Sequence, residues 1–149
     1  MILQWGQGRL IMISTEILES ISVYVSSKSD VCEAGGILVG GYRGPHIEIV
    51  SCTTPLPRDI RKRHLFDRRD PGHQSAALKA WLTSSKTETF VGEWHTHPEA
   101  YPSPSQRDLV TWHGIMNRTP ATLVFLIVGW QAIWCATGHR GRLSNASTL

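Results

Sequence analysis

Apolar residues recur along this chain at two different spacings, and the switches between them mark out its elements. Residues 9–13 alternate well enough to form a first strand. Ser14 or Thr15 can then cap a helix, with Glu16 in its first turn, and Ile17, Ile21 and Val25 repeat at helical spacing, so the helix is expected to run to about Lys28. Gly35-Gly36 leads into Ile37-Leu38-Val39, a short apolar strand ended by Gly40-Gly41, and Ile47 and Ile49 alternate with polar neighbours as its partner. Residues 53–72 read as irregular, punctuated by Pro55, Pro57 and Pro71. Ala76 to Leu82 predicts a helix with Ala77, Leu78 and Trp81 on one face. Thr89 to His97 predicts a strand stopped by Pro98, and after a proline-containing loop Ser105 can cap a helix through about Met116. Two further strands follow, the first within the apolar stretch Ala121–Trp130, and a polar tail from about residue 138 is expected to fray. Strands and helices alternate without strict regularity. The expected fold class is α/β with a curved, mixed sheet flanked by helices, as one domain over residues 1–149.

Composition narrows the setting. A chain of 149 residues can bury a core without staples. No apolar run reaches the length of a membrane span, and Gln4, Gly6, Gln7 and Gly8 interrupt what a secretory signal would need to keep apolar. Cys32, Cys52 and Cys135 are scattered and odd in number, which argues against a disulfide framework and a thiolate metal site and points to a cytoplasmic protein. The net charge of +3 is too small to predict nucleic-acid binding without a basic stripe.

Candidate chemistry is concentrated in Glu93-Trp94-His95-Thr96-His97-Pro98 and Ser105-Gln106-Arg107-Asp108. Strand alternation projects His95 and His97 to the same side, offering two imidazoles to one ion. Asp108 falls in the first turn of the helix that Ser105 caps, where the helix dipole favours a carboxylate, and it is the expected third ligand. Two nitrogens and one oxygen leave a fourth tetrahedral position open to water, the mark of a catalytic rather than a structural zinc site. A His-x-His alone arises by chance in about one such chain in three; with Ser and Asp fixed as well, the pattern falls to roughly one in a thousand. A general base is also required. Glu33, just before Gly35-Gly36, and Glu93, on the same strand face as the histidines, both qualify, and spacing does not separate them.

Glu33, His95-Thr96-His97, Ser105 and Asp108 together resemble the JAMM motif of the JAB/MPN metallopeptidases, and Glu33-Ala34-Gly35-Gly36-Ile37-Leu38-Val39-Gly40 is similar to that family's segment around its glutamate. The resemblance spans roughly residues 15–134. It implies an MPN fold, zinc held by His95, His97 and Asp108, Glu33 as general base, and Ser105 as hydrogen-bond donor to the oxyanion. It further implies hydrolysis of peptide or isopeptide bonds after the tail of a ubiquitin-like protein, a deubiquitinase-like activity. Gly92-Glu93-Trp94, Phe66-Asp67 and Gly72-His73-Gln74 resemble the bacterial stand-alone JAB deconjugases, among them those of antiviral CBASS operons. There the implied partner is a nucleotidyltransferase conjugated through its C-terminus. A processing peptidase for a ubiquitin-like or sulfur-carrier precursor, and a non-catalytic MPN scaffold, are the alternatives.

Other residues carry weaker expectations. The basic run Arg58, Arg61, Lys62, Arg63, Arg68 and Arg69 could steer a carboxylate-bearing tail or simply be a solvated loop. Phe66 needs an apolar surface to pack on. Trp94 is expected in the core and Trp112, four residues after Asp108, along the cleft. Cys32 reads as a small buried residue, and His73 and His113 fall outside ligand spacing.

Overall fold

A computed structural model describes residues 1–149. Strand β8 (Leu123–Val128) organises the molecule, because it is buried along its whole length. Its side chains alternate between two cores. Val124, Leu126 and Val128 join a cluster with Leu3, Ile11, Leu38, Ile49 and Trp94, whereas Leu123, Phe125 and Ile127 pack with Trp112, Ile115 and Met116. A two-residue period thus serves both faces of one strand, the reason its sequence is continuously apolar.

Around β8 the sheet closes on itself. Strands β1 (Ile2–Trp5), β2 (Arg9–Ile13), β3 (Gly35–Arg43), β4 (His46–Cys52), β7 (Thr89–Thr96), β9 (Ile133–His139) and β10 (Arg142–Thr148) complete a barrel in the order β1-β10-β9-β8-β7-β3-β4-β2. The pairings β2–β4 and β7–β8 are parallel and the rest antiparallel, so the sheet is mixed and curved as expected, and its curvature carries it into a closed barrel. Closure comes from the two ends of the chain. Leu3 pairs with Thr148, which corrects the expectation of a frayed tail. The residues of β10 are mostly exposed and polar, yet each flank of the strand is bonded, to β9 and to β1.

Three helices cover the barrel: α1 (Thr15–Ser22), α2 (Gly72–Thr83) and α3 (Gln106–Arg118). Helix α1 ends at Ser22, short of the expected Lys28, because β-branched Val23 and Val25 and the Ser26-Ser27 pair that follow are poor helix formers. Val25 still packs against the core from the irregular segment, which is why its spacing looked helical. Helix α2 leaves Leu78 and Leu82 exposed. No helix is long and apolar enough to cross a membrane.

The segment read as irregular contains a two-stranded hairpin, β5 (Ile60–Lys62) and β6 (Leu65–Asp67). Its anchor is a buried polar chain. Thr53 Oγ1 accepts the amide of Ile37 and hydrogen-bonds Nδ1 of His73, whose Nε2–H donates to Asp59 Oδ2 at 2.6 Å. The same carboxylate accepts the amides of Leu56, Arg69 and Asp70. Burial alone would raise the Asp59 pKa, but the amides of Asp70 and Leu56 and the His73 ring outweigh it and hold it below the ordinary carboxylate range. With the side chains of His73 and Asp59 1% and 0% exposed, Asp59→Ala is expected to cost about 3–5 kcal/mol in chemical denaturation, the usual penalty for stripping one partner from a buried pair. A carboxyl with a lowered folded pKa stabilises above its unfolded value and stops doing so as pH falls through the folded one. The wild-type advantage over Asp59→Ala should therefore shrink on strong acidification.

Candidate metal centre

Strand β7 and helix α3 deliver the chemistry. Along β7, Trp94 points into the barrel, where its indole N–H donates to the Thr53 carbonyl at 2.8 Å, while Glu93 and His95 face α3. Gly35 pairs with His95 in the neighbouring strand, and a Cβ there would lie 2.6 Å from the Phe66 ring and 2.7 Å from the Trp94 carbonyl. Only glycine lets Phe66 lie this close to β3, which answers where that aromatic goes. Beyond the strand, His97 stays in line because its amide donates to the Val128 carbonyl at 3.2 Å.

Helix α3 begins with a reciprocal capping box. Ser105 Oγ accepts the amide of Asp108 at 3.1 Å, and Asp108 Oδ2 accepts the amide of Ser105 at 2.8 Å. The cap holds the Asp108 carboxylate toward β7. Nε2 of His97 is 3.1 Å from Asp108 Oδ2, Nε2 of His95 is 3.3 Å from Asp108 Oδ1, and the two Nε2 atoms are 3.0 Å apart. Ligand atoms at about 2.0–2.1 Å from a tetrahedral ion would stand roughly 3.3 Å from one another, so the three donors fit one metal ion with little movement. Glu99 lies 3.4 Å from Nδ1 of His97, the outer contact that fixes an imidazole tautomer for ligation through Nε2.

The electrostatics agree with the geometry. Burial would raise the Asp108 pKa, but hydrogen bonds from His95 and His97 hold the carboxyl far below the ordinary range. Burial also opposes the His97 imidazolium, yet bonding to Asp108 wins and raises its pKa. Glu33, 8% exposed, has Oε1 4.0 Å from Nε2 of His97, beside the cluster but outside it. Burial pushes its pKa up to about 7, against the pull of His97 and His95. Glu93 is occupied instead. Its Oε1 accepts the indole N–H of Trp112 at 2.8 Å and its Oε2 pairs with Arg68 at 3.1 Å. Trp112, 1% exposed, stacks on Trp134 and Phe125, and its ring centroid lies 6.0 Å from that of His95. The two glutamates that spacing left level thus differ in their partners: Glu93 is committed to Trp112 and Arg68, whereas Glu33 stands beside the histidines.

These groups open on a cleft of about 790 Å³, walled on one side by Arg107, Thr111, Ile115 and Arg118 of α3 and on the other by His64, Phe66 and Arg68 of the hairpin. The basic run is mostly spent within the fold. Arg61 and Arg63 bind backbone carbonyls of residues 28–33, Arg68 pairs with Glu93 and Arg69 with Asp67. Sequence reasoning missed these uses, and the buried role of His73, because each partner lies far away in the chain. Cys32 is half-buried rather than buried.

Two imidazoles and a carboxylate around one point, with a protonatable glutamate beside them and a cleft leading in, are the equipment of a mononuclear metallohydrolase. Within that class, the chain belongs to the family described as prokaryotic homologs of the JAB domain, which matches residues 18–140. It is a JAB-type peptidase or isopeptidase. It is 38% identical over 127 residues to a CD-NTase/cGAS isopeptidase of Pseudomonas aeruginosa, covering 84% of this chain and 80% of that protein. It is 33% identical over 131 residues to a CD-NTase/cGAS isopeptidase of Vibrio cholerae, covering 88% and 83%. A probable metalloprotease of Sinorhizobium fredii is 25% identical over 147 residues, covering 95% and 89%. The fold is also similar to a Desulfitobacterium hafniense protein solved in solution, with a TM-score of 0.64 at 18% identity over 91% of this chain and 88% of that one.

Proposed function

We propose that the chain is a zinc isopeptidase that releases proteins joined to the C-terminal carbonyl of a CD-NTase, within antiphage CBASS signalling. The observation that carries this reading is the convergence of His95, His97 and Asp108 at one end of the cleft, with Glu33 4.0 Å from His97. The named activity of the Pseudomonas and Vibrio relatives supports the choice of substrate.

Bound zinc would supply Lewis-acid activation of water and of the scissile carbonyl. The protein's own groups do the rest. Glu33 takes a proton from the attacking water and passes it to the departing amine, so that the C–N bond breaks with a neutral leaving group. Its elevated pKa suits both halves of that transfer. Ser105 Oγ accepts the Asp108 amide, which leaves its hydroxyl proton free to donate to the carbonyl oxygen as that atom gains charge. Phe66 and Trp112 are among the residues lining the cleft that a substrate tail would enter.

Cleavage of a CD-NTase conjugated through its C-terminus to a lysine amine, compared with a linear fusion of the same tail, tests the reading. The isopeptide conjugate should be cut after the terminal residue of the tail. Cleavage confined to the linear fusion would make the chain a processing peptidase instead, and cleavage of neither, with metal bound, would leave a scaffold. On the preferred substrate, Ser105→Ala should lower kcat by on the order of 100-fold with little change in KM, as expected for a donor engaged only in the transition state.

A further inference from the structure

We propose that Arg61 is a positioning residue for this reaction, clamping the carbonyls of Cys32 and Glu33 so that the Glu33 carboxylate is held beside the metal ligands. The inference rests on the role assigned above to Glu33.

The observation behind it is how poorly the segment carrying Glu33 could hold itself. Residues 23–34 form neither helix nor strand, so their backbone groups need partners from elsewhere. Thr96 of β7 holds Ala34, accepting its amide at 2.9 Å and donating to its carbonyl at 2.8 Å, and the hairpin holds the residues just before it. Arg61 Nε donates to the Glu33 carbonyl at 2.9 Å and its Nη2 to the Cys32 carbonyl at 3.3 Å, and the Glu33 amide donates to the Lys62 carbonyl at 2.8 Å. Arg63 Nη1 reaches the carbonyls of Lys28 and Val31, at 2.7 and 3.4 Å. The Arg61 guanidinium also sits 5.5 Å from the centre of the Tyr24 ring, which fixes its plane. Glu33 is thus held at both its N–H and its C=O by one short strand.

The guanidinium presents its donors to the two successive carbonyls in one fixed plane; a lysine ammonium carries its donors on a single atom with no fixed fork and matches the pair less well. Nor does Arg61 line the cleft. Its influence on catalysis therefore passes through Glu33 and not through substrate contact, and Glu33 is not one of the three metal donors.

Arg61→Ala and Arg61→Lys, each purified with zinc, separate this role from a general loss of fold. In Arg61→Ala, kcat per zinc-loaded chain should fall about 10- to 100-fold, the scale of a displacement near 1 Å at a reacting group. KM should stay within about twofold of wild type, and zinc affinity by chelator competition should be unchanged. Arg61→Lys should recover part of the loss. Amide hydrogen exchange on the same proteins needs no substrate, and it should show Glu33 and its neighbours exchanging faster while β7 and α3 keep their protection. Faster exchange at Glu33 sustains the clamp on the Glu33 backbone even if wild type cuts neither the conjugate nor the fusion, an outcome that would count against the proposed function and not against the clamp. Unchanged protection at Glu33, a kcat within about twofold of wild type, or a kcat loss matched by loss of zinc would each overturn it.

Discussion

Replacing Glu33 with glutamine is expected to cut turnover by roughly 10²–10⁴ while leaving the metal in place. The substitution keeps the shape of the side chain but removes the carboxylate proposed to carry a proton between water and leaving amine. General-base catalysis contributes roughly 10²–10⁴ in rate, and kcat should fall by a factor in that range. Zinc affinity should change little, since Glu33 stands outside the group formed by His95, His97 and Asp108. The pH profile gives an independent check. Burial holds the Glu33 proton up to about pH 7, and a dication close by favours the carboxylate. The acid limb of kcat/KM should therefore lie at or below about 7, with activity rising as Glu33 loses its proton, and that limb should be missing from the residual activity of Glu33→Gln. Glu93→Gln provides the contrast. Its carboxylate is committed to Trp112 and Arg68, so a loss as large as that of Glu33→Gln would show that the base has been misassigned.

The second large effect is on metal binding. Asp108→Asn leaves an amide oxygen that can still accept from the Ser105 N–H, so the capping box and the start of α3 should survive. What disappears is the anionic ligand. Zinc affinity, read by competition with a chromogenic chelator, should drop by more than the roughly 10- to 100-fold typical of losing an outer-shell partner. The pH dependence should move as well. In the wild type, metal has to displace the proton that Asp108 helps His97 to keep, so affinity climbs with pH until it passes the raised His97 pKa. Without the carboxylate that pKa falls, and the plateau should be reached at lower pH. An unchanged affinity would mean that Asp108 serves only as a cap.

Much of the candidate site was readable in the sequence because its parts lie on regular elements at short range. Strand alternation alone puts His95 and His97 on one side, and the capping box alone puts Asp108 in the first turn of α3. The continuous apolar run of β8 was equally plain, since a strand buried on both faces leaves no polar position to confuse the reading. What escaped notice depends on partners distant in the chain. Strands β5 and β6 have three residues each and carry charges, and they exist because Arg61 and Arg63 reach back to carbonyls near Glu33 and because Asp59 and His73 bury each other. No local period records such contacts. Strand β10 was missed for a related reason: Ser144, Asn145 and Ser147 are exposed, and the strand is stabilised by backbone pairing with β9 and β1 rather than by an apolar face. Spacing left Glu33 and Glu93 level, and only the resemblance favoured Glu33; that Glu93 is committed to the indole of Trp112 and the guanidinium of Arg68 depends on contacts distant in the chain.

Zinc bound per chain, measured by elemental analysis on wild type and on His97→Ala after equilibration with the metal and removal of the excess, tests the central claim most directly. About one zinc in the wild type and essentially none in the variant is the result expected if these donors form the site. A wild-type protein that takes up no zinc, or a His97→Ala protein that retains a full equivalent, would contradict it.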